Sequence, residues 1–405
     1  MFAASGSRLR SRSLHIAAAA LVALLSTASG ALAQCVVTYN FGVISNFGNL
    51  VPSASPLIAI INTVNTAFLT NTTSLVSAPG GAQAGQTSGG VWTRAIGGTV
   101  DTKSDSTSTA DLTKTTGSDA PPFLATGSLQ CHQEIKHDYA GFQVGADLGQ
   151  LNLSGTGVNW HFGIIGGNFY ARAEEKTLGP IPGVAQPTGD LVGRFEVPFI
   201  GFYSVITAGN FFADAQFRWD FYDSTASSIQ QRFSGVNGHA QSLSFTAVAA
   251  YRIPLPSNWF VEPSFGGVLS QTKVDPIVSP LVDGIGRSTL QIFDINSVLG
   301  RASLRIGTSF TQGDNTWQPF IAATVMHEFA GSVTSTQTLS DPALPSLDKG
   351  VFTTETQRIG TYEQIGVGMA VVVGKTGWLG YGRGDVKFGE NTQGWGANFG
   401  LRYQW

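Results

Sequence analysis

Charge is the scarcest commodity in this chain. Of 405 residues, 23 are basic and 26 acidic, 12% of the total, against roughly 25% in an average soluble domain. Apolar content is nonetheless an ordinary 42%, which excludes a disordered chain, since disorder needs high charge and few apolar groups. The formal net charge of -3 excludes the basic excess of a nucleic-acid binder. Two cysteines are too few for a disulfide scaffold. Beyond the N-terminus no apolar run approaches the roughly 20 residues of a membrane-spanning helix. Glycine is abundant, at 50 residues, but without the period of three that collagen requires. A globular all-β or α/β protein or a membrane β-barrel remains, and a barrel hides its apolarity by alternation.

The N-terminus reads as an address. Arg8, Arg10 and Arg12 precede an apolar run from Ile16 to Leu25, followed by Ala31-Leu32-Ala33. That order is a secretory signal peptide over residues 1–33, with cleavage expected after Ala33. Leu32-Ala33-Gln34-Cys35 imitates a lipidation box, but Gln34 stands where a small residue belongs. Removing 1–33 leaves 20 basic against 26 acidic residues. Cys35 and Cys131 then meet an oxidising compartment, where a disulfide is the default and two free thiols the alternative.

In the processed chain, Ser55-Pro56 reads as a helix start with serine as cap. Leu57, Ile61, Val64 and Phe68 follow at helical spacing and predict a helix over about 55–76. Its other face is Asn62, Thr63, Asn65 and Thr66, poor helix formers, so the helix needs shelter. A Gly-, Ser- and Ala-rich connector closes this 34–90 segment.

From Val91 to Trp405 the period is two. Phe211, Phe217, Trp219 and Phe221 alternate with Asp214, Gln216, Arg218 and Asp220. Leu304, Ile306 and Phe310 alternate with Arg301, Ser303, Arg305 and Ser309. One dry and one wet face per strand is the signature of a barrel wall. About twelve such strands are countable, several reaching the roughly 9–11 residues a membrane strand needs. Tight turns at Ala208-Gly209-Asn210, Pro254–Asn258, Gln312–Asn315 and Gly374–Gly377 alternate with longer polar stretches read as loops. Those stretches are Lys103–Glu134, Lys176–Asp190, Ser224–Gly238, Lys273–Asp294 and Ser332–Gly350. The chain ends inside a strand, on Trp395, Ala397, Phe399, Leu401, Tyr403 and Trp405. The expectation is therefore all-β: a transmembrane antiparallel barrel of about 12 strands over 91–405, with an N-terminal α-helix.

The order of these parts resembles the translocator domain of bacterial autotransporters, the type V secretion family. Local matches are Trp92-Thr93-Arg94, Gly141-Phe142-Gln143-Val144-Gly145-Ala146-Asp147, Val261-Glu262-Pro263, Trp317-Gln318-Pro319-Phe320 and His327-Glu328-Phe329. The resemblance implies a twelve-stranded outer-membrane barrel with the helix plugging its lumen. It also implies that Phe399, Leu401, Tyr403 and Trp405 form the signal read by the outer-membrane assembly machinery. Ahead of the helix, where the family carries a long passenger, stand residues 34–55. Paired asparagines for self-cleavage are absent, because Asn62, Asn65 and Asn71 are isolated.

On that reading Asp214, Arg218, Asp220, Glu262, Arg301, Arg305, Arg383 and Asp385 form a polar network in the lumen. The Asn/Thr face of the helix would bond to these charges, and its apolar face would meet Phe212 and Phe260. A helix entering from the outer end brings Cys35 to the side of Cys131, which makes a bridge feasible. Expected partners are outer-membrane lipid, lipopolysaccharide and the assembly machinery, with no nucleic acid, and the barrel is expected to be a monomer.

Chemistry is expected to be absent. Gly374-Lys375-Thr376 lacks the upstream glycine of a phosphate loop, because position 369 is Met369. Cys131, His132, Glu134 and His137 have ligand chemistry without a zinc spacing. No nucleophile, cofactor loop or metal set stands out, so no enzyme is expected. The function read from the sequence is an outer-membrane barrel that carries its own short N-terminal segment through the lumen. The alternatives are a passive channel and a surface adhesin.

Overall fold

The computed structural model describes residues 34–39, 54–67, 69, 83–114, 123–176, 190–228, 233–280, 287–340 and 349–405. The signal peptide lies outside the described residues, as do Phe68 and most of the connector. Twelve antiparallel strands close into a barrel. They are β1 (Gln86–Lys114), β2 (Phe123–Leu151), β3 (Val158–Glu175), β4 (Leu191–Ala208), β5 (Phe211–Ser228) and β6 (Phe233–Tyr251). The round continues through β7 (Trp259–Val274), β8 (Ile295–Thr308), β9 (Asn315–Glu328), β10 (Thr361–Val373), β11 (Trp378–Gly389) and β12 (Thr392–Gln404). Each strand pairs with the next, and β12 returns to β1 over Thr392↔Thr102 to Gln404↔Gly90. Closure removes every edge within the wall, the condition for placing a sheet in lipid.

Alternation decides which side of each strand is dry. Phe217, Trp219, Phe245, Leu304, Ile306, Phe399 and Leu401 point outward and are exposed, whereas Arg218, Ser244, Arg301, Arg305, Asn398 and Arg402 point inward and are buried. An exposed apolar exterior around a buried polar interior is a water-soluble protein turned inside out, stable only with hydrocarbon outside. Tight turns gather at one end of the barrel. Between β4 and β5 only Gly209 and Asn210 intervene, with Ala208 opposite Phe211. Gly209 has φ +58°, the position where a two-residue hairpin of type II′ demands glycine.

The opposite end departs from expectation. Lys103–Glu134 is a ladder and not a loop: β1 and β2 each run 29 residues and stay paired up to Lys114↔Phe123. At roughly 3.3 Å per residue each spans roughly 95 Å before twist, far beyond a membrane crossing. Further strands extend the wall here. Lys349–Thr356 lies along β1, Val333–Ser340 along that strand, then Arg287–Ile292 and Ile277–Pro280. Gln34–Tyr39 pairs with the upper part of β2, with Cys35 opposite Cys131, and Cys131 is disulfide-bonded. Serine and threonine misled the loop reading. Threonine is a good strand former, and hydroxyls here bond across strands, as Ser108 does with Thr354 at 2.7 Å.

The helix α1 covers Ser55–Ala67 and is buried over nearly its whole length. Its start is one residue earlier than the cap reading. The Ile58 amide donates to the Ala54 carbonyl at 3.0 Å, so Ala54 holds the cap position. The Ser55 hydroxyl instead donates to Gln133 on β2 at 2.6 Å. Beyond Ala67 only Leu69 is described, so the expected continuation to position 76 lies outside the described residues.

Candidate functional site

The lumen has two storeys. Helix α1 fills the one toward the extended end of the barrel, and charged side chains fill the one toward the tight turns. Ile58, Ile60, Ile61 and Val64 pack with Tyr139, Phe169, Phe195, Phe199 and Tyr222 of β2 to β5 in one buried cluster. Phe212 and Phe260 were expected against this face and are elsewhere. Phe212 packs with Tyr203 and Tyr381, and the Phe260 ring lies under Arg252 at 4.4 Å and Arg305 at 5.4 Å. Both sit at the tight-turn ends of their strands, below the reach of a helix this short.

The polar face of α1 docks mainly on neutral groups. Thr63 bonds to His137 at 2.7 Å, and Asn65 donates to Ser270 at 2.9 Å. Of the eight lumen charges expected to form the network, Arg218 alone has a hydrogen bond to α1 among the contacts described. It donates to the Val64 carbonyl at 3.4 Å. The last turn of α1 contains no basic residue, so Arg218 supplies the cation that the negative end of the helix favours. Its own partner is Asp220, at 2.5 Å.

The remaining expected charges lie below, all buried except the half-buried Asp214. Glu262 accepts from Arg305 at 2.7 Å and from Arg252 at 3.1 Å. Arg383 pairs with Asp385 at 2.5 Å. Arg301 reaches Ser264 at 3.3 Å, and Asp214 faces Arg94 and Arg301. Both signs are interleaved, so paired charge rather than open water occupies much of this storey. Unpairing one such partner costs roughly 3–5 kcal/mol where the site is buried.

The densest polar node was not among the expected residues. Asp147 on β2 accepts two bonds from Arg402, at 2.6 and 2.8 Å. It also accepts from Tyr203 at 2.6 Å and meets His161 Nδ1 at 2.9 Å. Trp92 donates to Tyr203 at 2.7 Å. Glycines make the space: a Cβ on Gly90 would lie 2.5 Å from the Arg402 guanidinium, and one on Gly145 would lie 2.4 Å from the Trp92 ring. Arg402 thus reaches from β12 across β1 to β2 and staples the closing seam. Parity along β12 marks Arg402 as inward. Its partner Asp147 lies 255 positions away, and no spacing rule joins them.

Phe399, Leu401 and Trp405 are exposed on the outer face, and Tyr403 is half-buried between Trp378 and Trp405 at centroid distances of 5.1 and 6.1 Å. Trp405 is itself tied to β1, its amide donating to Gly89 at 3.0 Å. The suggested metal set does not converge. Cys131 is in a disulfide, His132 meets Asp105 on the exposed side, and His137 is buried against Thr63. Among the described residues no group of three potential ligands exists.

A closed twelve-strand barrel with a helix inside it sets the terms for comparison. The model of the autotransporter beta-domain matches residues 132–385, more than half of the chain. The chain belongs to the autotransporter family. It is similar to the pertactin autotransporter of Bordetella parapertussis, at 26% identity over 280 residues, covering 66% of this chain and 26% of pertactin. It therefore spans about a quarter of the length of that relative. Among solved structures it is similar to the transport unit of autotransporter AIDA-I from Escherichia coli. The TM-score is 0.56 at 14% identity, covering 86% of this chain and 97% of that one. The beta domain of the Bordetella autotransporter BrkA gives a TM-score of 0.49 at 17% identity, with 78% and 99% covered. The barrel is thus an autotransporter-type translocator domain of the outer membrane.

Proposed function

We infer that this barrel carries its own N-terminal segment, residues 34–53, through the lumen to the outer surface and is then plugged by α1. The carrying observation is the anchorage of α1 by Ser55, Thr63, Asn65 and the Val64 carbonyl to four separate places on the wall. The extended end faces the exterior in this reading, with the tight turns in the periplasm, as in outer-membrane barrels generally. Lipid and lipopolysaccharide surround the wall, the barrel works as a monomer, and Phe399, Leu401, Tyr403 and Trp405 meet the assembly machinery. The barrel is not an enzyme in this reading: the best-placed carboxylate, Asp147, has its lone pairs taken by Arg402, Tyr203 and His161. It has none to spare for a substrate proton. Conductance in a planar bilayer tests the plug. Full-length protein should conduct little, and deletion of 34–82 should raise conductance severalfold. Equal, large conductance in both would establish a passive channel instead.

A second reading, surface adhesion, is favoured by the ladder that β1 and β2 raise far above the membrane. Removing residues 110–127 and scoring cell attachment tests it; unchanged attachment would end it.

A further inference from the structure

The storey of the lumen toward the tight turns holds more cations than anions. Arg94 and Arg301 both face Asp214. Arg305 and Arg252 share Glu262, at 2.7 and 3.1 Å. Arg383 pairs with Asp385, and Arg301 lies within the field of Arg383 and Arg305 as well as of Asp214 and Asp385. Five guanidinium groups thus meet three carboxylates in one connected cluster, an excess of two positive charges. By contrast, Arg218 and Arg402 are each matched by one acid, Asp220 and Asp147. The buried acids Glu175 and Glu328 do not correct the balance, because both stand at the level of α1. Glu175 is opposite Ile135, which packs in the cluster around the helix, and Glu328 borders the same small space as Ser55 and Ile58. The N-terminal part of the chain offers no compensation either. From Gln34 to Thr93, through α1 and the connector, it contains no Asp, Glu, Lys or Arg. Fixed charge of one sign between low-dielectric walls draws mobile ions of the other sign, and arginine-lined constrictions select anions in pores.

We propose that this arginine-rich cluster is an anion filter: it admits small inorganic anions to the lumen and makes the current through the barrel selective for chloride over potassium. The excess charge belongs to the wall, so the preference holds with α1 in place. The inference rests on the reading above only in taking the lumen as a path for water and ions. The size of the current tests the plug, and the direction of the reversal potential tests the filter.

The test uses the full chain, refolded and held in planar bilayers under a gradient of potassium chloride. At about 0.1 M salt, where the Debye length is about 10 Å, chloride should permeate at least about threefold more readily than potassium. At about 1 M, where that length is about 3 Å, the preference should shrink toward parity. Asp214→Asn adds one charge to the excess and should raise the permeability ratio about twofold; Arg301→Gln removes one and should lower it about as much. If Arg301→Gln does not fold, as read from the heat-dependent gel shift, Asp214→Asn decides, since it keeps the shape of the side chain. A wild-type ratio at or below parity at low salt would overturn the filter, and so would full-length protein that passes no current of either ion. A chloride preference that neither variant moves would overturn its assignment to this cluster.

Discussion

Substituting Arg402 by glutamine should loosen the seam at which the barrel closes. Arg402 presents its guanidinium to Asp147 through two bonds of 2.6 and 2.8 Å, and both side chains are almost completely buried. In Arg402→Gln the carboxylate keeps Tyr203 and His161 but loses its guanidinium partner. Breaking a buried pair on one side costs roughly 3–5 kcal/mol, a factor of roughly 10²–10³ or more in the folded-to-unfolded ratio. Asp147→Asn should cost a similar amount, because it strands Arg402. The double variant Asp147→Asn/Arg402→Gln should cost clearly less than the two singles together, since neither leaves an unpaired ion; the coupling should exceed about 1 kcal/mol. Urea unfolding of refolded protein in micelles, followed by tryptophan emission and by the gel shift of folded barrel, measures all four species. The seam makes the expectation specific: Gly90→Ala, which drives a methyl group into the same guanidinium at 2.5 Å, should weaken the barrel in the same way. Additive single variants, or an Arg402→Gln barrel within about 0.5 kcal/mol of wild type, would refute the reasoning.

Other expectations are simpler to check. On intact cells, a membrane-impermeant maleimide should label Cys35 and Cys131 only after reduction; labelling without reductant would disprove the bridge we propose between them. Arg218→Met removes the cation at the end of α1 and strands Asp220, so stability should fall by about 2–4 kcal/mol in urea, and the plug should open more often in bilayer recordings. Gly377→Ala places a Cβ 2.2 Å from the Gln404 carbonyl at φ +79° and should cost more than about 1 kcal/mol. Gly384→Ala meets open space and should be close to neutral by the same assay.

The wall was legible because lipid enforces its own grammar. With period two and hydrocarbon outside, Phe217, Trp219, Leu304 and Ile306 had to face one way and Arg218, Arg301 and Arg305 the other. The helix was legible from Leu57, Ile61 and Val64, but not its depth in the barrel, which is set by partners such as Gln133 and Ser270 on distant strands. The Ser/Thr ribbons were misread because polar strands outside a membrane carry no apolar alternation; only cross-strand partners reveal them. Asp147 stood at the end of a local family match without a place in the polar network, for a related reason. It is one acid in a glycine-rich strand, and its significance is created by His161, Tyr203 and Arg402 converging on it, with Trp92 bonded to Tyr203 behind them.

The N-terminal strand covers backbone that the neighbouring wall strand does not. Pairing between β2 and β3 begins at Ile135, so among the described residues the taller part of β2 has no β3 strand beside it. Such an open flank is a template for strand addition. Copies in one bilayer would meet in a common orientation, so a flank left uncovered could pair with its neighbour. Gln34–Tyr39 lies along Gly127–His132 and occupies that flank. If the segment is exported as proposed, it ends as a strip covering that flank, and a barrel lacking it would present an open strand edge to its neighbours.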